Sequence, residues 1–129
     1  QRVLPPSRPM ADEPQAEQAV FSIEMGLKHC FGKRDILDKL LRMFLDTRRH
    51  SADEMRAALA AGDAGQASMV AHALKANAGT IGAERLAASA MAAQLAFEGA
   101  DEAARATALA DCERELGLVL QALEAHFNL

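Results

Sequence analysis

The sequence predicts an all-α fold: an antiparallel up-down-up-down four-helix bundle with a short N-terminal helix. Three observations carry that prediction. Apolar residues recur every three or four positions through most of the chain after residue 20. No alternating apolar and polar stretch competes as a strand. Glycines at 62, 82 and 99 separate the periodic stretches by only a few residues, and short connections force neighbouring helices to run antiparallel. Composition agrees, since 50% of the residues are hydrophobic but only 4% are aromatic, with five Phe and neither Trp nor Tyr. A core of Leu, Ala, Met, Ile and Val suits closely approaching helices better than a sheet. A chain of 129 residues supports one such core and not two.

Residues 1–19, QRVLPPSRPMADEPQAEQA, hold all four prolines and read as a proline-rich linker in front of a domain over 20–129. The absence of an initiator Met suggests a piece of a longer polypeptide. Between Phe21 and Phe31, Phe21, Met25 and Leu27 suit one or two turns capping a bundle, and Gly32 resets the chain. From Lys33 to Ala61, Leu37, Leu41, Phe44, Met55 and Leu59 lie near one stripe, interrupted by the polar run Asp46 to Ser51. That run implies either one bent helix or two, the second opened by a Ser51/Glu54 capping box. Gly62 closes this element, and Asp63, with Gln66 three residues on, is the expected N-cap of a helix reaching about Gly79. After Gly82 comes a helix with Leu86, Ala90, Ala93 and Phe97 on its seam, stopped by Gly99. The last helix, from about Asp101 to His126, has the most regular seam: Leu109, Cys112, Leu116, Val119, Leu123 and Phe127.

The helix after Asp63 singles out one side chain. On a wheel of about 100° per residue, Ala67, Val70, Ala71, Leu74 and Ala78 gather on the core side. His72 projects from the opposite side, in a row with Gly65, Ser68, Lys75, Ala76 and Gly79, and Met69 on the flank. A lone His in an apolar helix is usually a satisfied core residue, but the wheel turns this one to solvent. Its neighbours one turn away, Ser68 on one side and Ala76 and Gly79 on the other, leave the ring unshielded. Helix termination accounts for Gly79 as well as partner approach does. Lys75, one turn along the same face, can offset negative charge attached to the ring, although it is equally a solvated lysine.

Several function classes are disfavoured. The net charge of −4 arises from mixed charges without a basic stripe, so nucleic acid is not an expected partner. No apolar run approaches the length of a membrane span, and there is no glycine-rich nucleotide cradle. Cys30 and Cys112 lack the spacing of a zinc, redox or disulfide framework, which fits a reducing cytoplasm. A metal site drawing on His29, Cys30, His72 or Cys112 matches no ligand motif, and His29, His50 and His126 lack the small-residue surround of His72. A bundle that only binds other proteins remains the alternative function.

The stretch AHALKANAGTIGA, Ala71 to Ala83, resembles the signature of histidine-containing phosphotransfer domains. There, an acceptor His is followed three residues later by Lys, then by a small residue and by glycines near the helix end. His72 matches the acceptor, Lys75 the phosphate-neighbouring lysine, and Gly79 and Gly82 the glycines. GLKHCFGKRDILDKLLRMFLD, from Gly26 to Asp46, is similar to the family's opening helices, and the likeness runs from about Phe21 to Phe127. The sequence departs from the pattern at Ala76, where glycine is usual, and at Ala93 and Gln94, near where Leu and Glu are common.

The resemblance implies a phosphoryl carrier in a His-Asp phosphorelay, taking the group on His72 from a receiver-domain aspartate and passing it to a response regulator. The fragment alone is then not an enzyme and binds no cofactor, with Mg²⁺ supplied by the receiver. Docking is expected around His72, on Ser68, Met69, Ala73, Ala76 and Gly79, with Lys75 at the rim. The expected location is cytoplasmic, as a C-terminal module of a hybrid sensor kinase whose parent chain can be anchored in the inner membrane.

Overall fold

The computed structural model describes residues 20–129, where the chain forms six α-helices and no strand. The expected linker over residues 1–19 lies outside the described residues. In order, α1 spans Ile23–His29, α2 Arg34–Arg48, α3 Ser51–Ala60, α4 Ala64–Thr80, α5 Glu84–Glu98 and α6 Glu102–His126. Among the described residues, no helix is long and apolar enough to cross a membrane.

The apolar stripes become one core. Leu37, Leu41 and Phe44 of α2, Met55 of α3, Leu74 of α4, Leu86 and Phe97 of α5, and Leu116 and Leu123 of α6 are all buried in it. Leu59, Val70 and Phe127, expected on the same stripes, are only partly buried and pack against its edge. Alanines dominate where α4 meets α5: Ala67, Ala71 and Ala78 on one helix and Ala90 and Ala93 on the other are fully buried. Side chains this small let two helix axes approach at the near end of the usual 8–10 Å range. The α4 and α5 pair is accordingly the most extensive in the fold.

Helix starts follow local chemistry. Asp63 accepts a hydrogen bond from the Gln66 amide at 3.0 Å, as its position before α4 predicts, and Asp101 does the same for Ala104 at 3.2 Å. The region between α2 and α3 differs from expectation. Two helices form, but Ser51 does not cap the second: His50 holds the N-cap position and makes no side-chain cap bond. The cause is geometric. Arg49 keeps right-handed helical dihedrals (φ −52°, ψ −37°), so the break is confined to two residues and Ser51 becomes the first helical residue, turned inward and fully buried.

Two features fix where α4 and α5 lie. Gly82, in the turn between them, has φ +85°, a left-handed conformation that a side chain resists. A Cβ there would stand 2.4 Å from the carbonyl oxygen of Ser22, and the Ser22 amide donates to the Gly82 carbonyl at 2.9 Å. The entry to α1 therefore clamps this turn. Elsewhere, ion pairs of Arg49, at the junction of α2 and α3, with Glu124 and of Arg56 in α3 with Glu113 set this arm beside α6, with residue numbers rising along the arm as they fall along α6.

Candidate functional site

His72 lies at the middle of α4 and is exposed, with Ala71 beside it and Leu74 beyond it fully buried. The outward reading of the wheel is thus what the fold contains. Three polar contacts cross from α4 to α5 along this face. Ser68 Oγ donates to Glu98 Oε2 at 3.2 Å, His72 Nδ1 meets Gln94 Oε1 at 3.4 Å, and Lys75 Nζ lies 3.6 Å from Met91 Sδ. Numbers rise along α4 while they fall along α5, so the two helices run antiparallel and the contacts form successive rungs along one exposed face. A fourth contact runs along α5, from Gln94 Nε2 to Glu98 Oε2 at 3.5 Å.

The surface around His72 is low. Ala76 is exposed, and Ser68, Ala73, Lys75 and Gly79 are partly so. The helix continues through Gly79 to Thr80, with its C-cap at Ile81, so Gly79 does not end the helix. The turn glycine is Gly82. A Cβ at Gly79 would meet nothing within 4 Å, so no internal contact demands a glycine there. Exposed large apolar side chains flank the ring on both helices: Met69 on α4 at 67%, and Leu95 and Met91 on α5 at 60% and 45%. Exposed apolar side chains of this size, gathered on one face, suit a surface that another protein covers.

Every residue expected at the site lies on the outer surface of α4. Missing from expectation were its partners on α5, namely Met91, Gln94, Leu95 and Glu98. A signal existed in the spacing: Gly82 follows His72 by ten residues and precedes Gln94 by twelve, so a tight turn at Gly82 brings the two side by side. From the sequence, Gln94 stands out only as a departure from a family pattern.

The metal alternative finds no support in the geometry. Thr80 O lies 3.0 Å from His29 Nδ1, and Cys30 and Cys112 are buried free thiols. No group of three or more His, Cys, Asp or Glu side chains among the described residues is arranged to hold a metal ion. The carboxylate that the contacts bring to the face of His72 is Glu98, already engaged by Ser68 and Gln94.

No curated protein and no solved structure gives a match to this chain. The family model of the Hpt domain matches residues 39–126, from within α2 to the last residue of α6. With more than half of the sequence matched, the chain belongs to the Hpt domain family, the helical modules that carry phosphoryl groups in His-Asp phosphorelays, have no kinase activity of their own and engage receiver domains.

Proposed function

We propose that His72 is the phosphoacceptor, receiving the group from a receiver-domain aspartate and passing it to a response regulator. The observation that carries this reading is the state of the ring: exposed, with Nδ1 against Gln94, and with Nε2 making no hydrogen bond among the described residues. An imidazole whose Nδ1 holds the proton has its lone pair on Nε2. That pair attacks the phosphorus of the aspartyl phosphate. A P–N bond forms, the P–O bond to the acyl group breaks, and the aspartate carboxylate leaves with the electron pair. Transfer onward is the same step in reverse on a second receiver.

The positive charge of Lys75 offsets part of the charge on the phosphorylated ring. Its ammonium rests on a thioether, a weak acceptor, so donors remain for phosphoryl oxygens. Receivers dock over Ser68, Met69, Ala73, Ala76 and Gly79. The divalent cation comes with the receiver, because one engaged carboxylate is a poor donor set for Mg²⁺, which demands near-octahedral oxygen coordination. The architecture is an up-down-up-down four-helix bundle, with α2 and α3 together forming one arm and α1 capping it; the crossed pairs between α4 and α5 and between α3 and α6 support this. Free, buried thiols suit a cytoplasmic location.

Replacement His72→Gln keeps size and polarity but removes the nucleophile. Incubated with a phosphorylated receiver, the wild type should acquire an acid-labile phosphoryl group and the variant none, with unchanged helical circular dichroism. Uptake by His72→Gln, or none by the wild type from any receiver encoded beside it, would leave the bundle as a protein-binding module instead.

A further inference from the structure

We propose that Glu98 is a positioning residue that sets the tautomer of His72 through Gln94, an inference resting on the phosphoacceptor reading above. The chemistry of three side chains carries it. An amide side chain has one accepting and one donating end, and nothing intrinsic to Gln94 decides which end faces His72. Glu98 decides it. An ionised carboxylate only accepts, so the end of Gln94 that meets Glu98 Oε2 must be the donor Nε2, and Oε1 is thereby turned to His72. Facing an acceptor, Nδ1 of His72 must carry the proton. The lone pair is then on Nε2, the nitrogen without a partner among the described residues.

Ser68 completes the chain of contacts. Its hydroxyl donates to the same Glu98 Oε2 at 3.2 Å, anchoring the carboxylate one turn of α4 before the ring. Four residues on two helices thus form a directed line, Ser68 to Glu98 to Gln94 to His72, in which each hydrogen bond fixes the polarity of the next. The contacts to Gln94, at 3.4 and 3.5 Å, are at the long end of hydrogen bonding, as is common in a site that tightens only when a partner excludes water. The line also serves during transfer. Attack through Nε2 turns the ring into an N-phosphoimidazolium, and Gln94 Oε1 faces the Nδ1 proton of that cation as the P–N bond forms.

A role for Glu98 as plain charge predicts something different. A carboxylate near an incoming phosphoryl group repels it, so removing the charge would speed loading. Positioning predicts that removal slows loading.

The test reads the tautomer directly by nitrogen-15 NMR of the His72 ring, at a pH of about 9, above the ordinary imidazole range, alongside loading from a phosphorylated receiver. The wild type should show the proton on Nδ1. In Glu98→Ala the preference should fall, and loading should slow roughly two- to tenfold, the worth of a modest hydrogen bond. Glu98→Lys replaces an acceptor by a donor, so Gln94 should turn over, present Nε2 to the ring and move the proton to Nε2. Glu98→Asp should retain the wild-type tautomer. An Nδ1–H signal unchanged in both Glu98→Ala and Glu98→Lys overturns the proposal, as does faster loading by Glu98→Ala. Because the NMR signal needs no phosphoryl donor, a tautomer that obeys Glu98 in a protein that never loads would reject the phosphoacceptor reading alone.

Discussion

The two seams that α5 makes with its neighbours use similar side chains to opposite effect. Toward α6, Ser89, Cys112, Arg85 and Glu115 form a polar patch, with Arg85 paired to Glu115 at 3.0 Å and Cys112 fully buried. Toward α4, Ser68, His72, Gln94 and Glu98 make another, at the surface. Both contain a hydroxyl, a carboxylate and a nucleophile. Access to water separates them. In the closed seam, burial pushes the Cys112 thiol up to about 11, opposed in part by a hydrogen bond with Ser89 and reinforced by the Glu115 carboxylate. A nucleophile there is locked in its inert, protonated form. In the open seam the imidazole meets solvent and any docking partner, and its neighbours steer the proton.

The turn at Gly82 sets the register of the open seam, so breaking it should produce the largest effect. Gly82→Ala must place a Cβ against the Ser22 backbone at 2.4 Å while holding φ at +85°. Left-handed strain of about 1–2 kcal/mol adds to overpacking of about 1–3 kcal/mol. A loss of about 2–5 kcal/mol in urea denaturation is expected, with slower loading of His72 as its alignment with Gln94 shifts. A loss below about 1 kcal/mol would mean that the clamp from α1 yields easily.

The closed seam makes a prediction about pH. The folded thiol holds its proton to about 11 whereas an ordinary one releases it near 9.0, so the unfolded chain ionises first as pH rises. Stability from this group is therefore complete below pH 9.0 and is lost as pH climbs toward about 11. The size is on the order of 2–3 kcal/mol. Denaturation of the wild type and Cys112→Ala at a series of pH values should show the extra alkaline slope in the wild type only. Equal slopes would show that water reaches the seam.

The same distinction explains what was legible in the sequence. The closed regions follow from periodicity, since a stripe such as Leu109, Cys112, Leu116, Val119 and Leu123 has one way to bury itself. His72 was legible because the wheel of α4 leaves it no place in the core. Gln94 and Glu98 were not, because their role depends on the register between two helices, and this is set by the turn and by alanine packing rather than by either helix alone. Ser51 differs from expectation for a related reason: a capping box needs its Ser at the non-helical N-cap position, and His50 holds that position, which leaves Ser51 inside the helix.

Gly79 and Gly82 bring the comparison down to two residues. Gly82 is required by crowding within the chain; Gly79 is helical, with open space where its Cβ would stand. A glycine inside a helix costs up to about 1 kcal/mol relative to alanine, so Gly79→Ala should raise the unfolding midpoint. If receivers approach closely over α4, the same methyl group should stand in their way. Loading from a phosphorylated receiver should then weaken roughly fivefold, equivalent to about 1 kcal/mol, while loading by a small donor such as phosphoramidate stays unchanged. A variant that is more stable and equally fast with both donors would show that the docking surface stops short of Gly79, confining the open seam to Ser68 through Ala76.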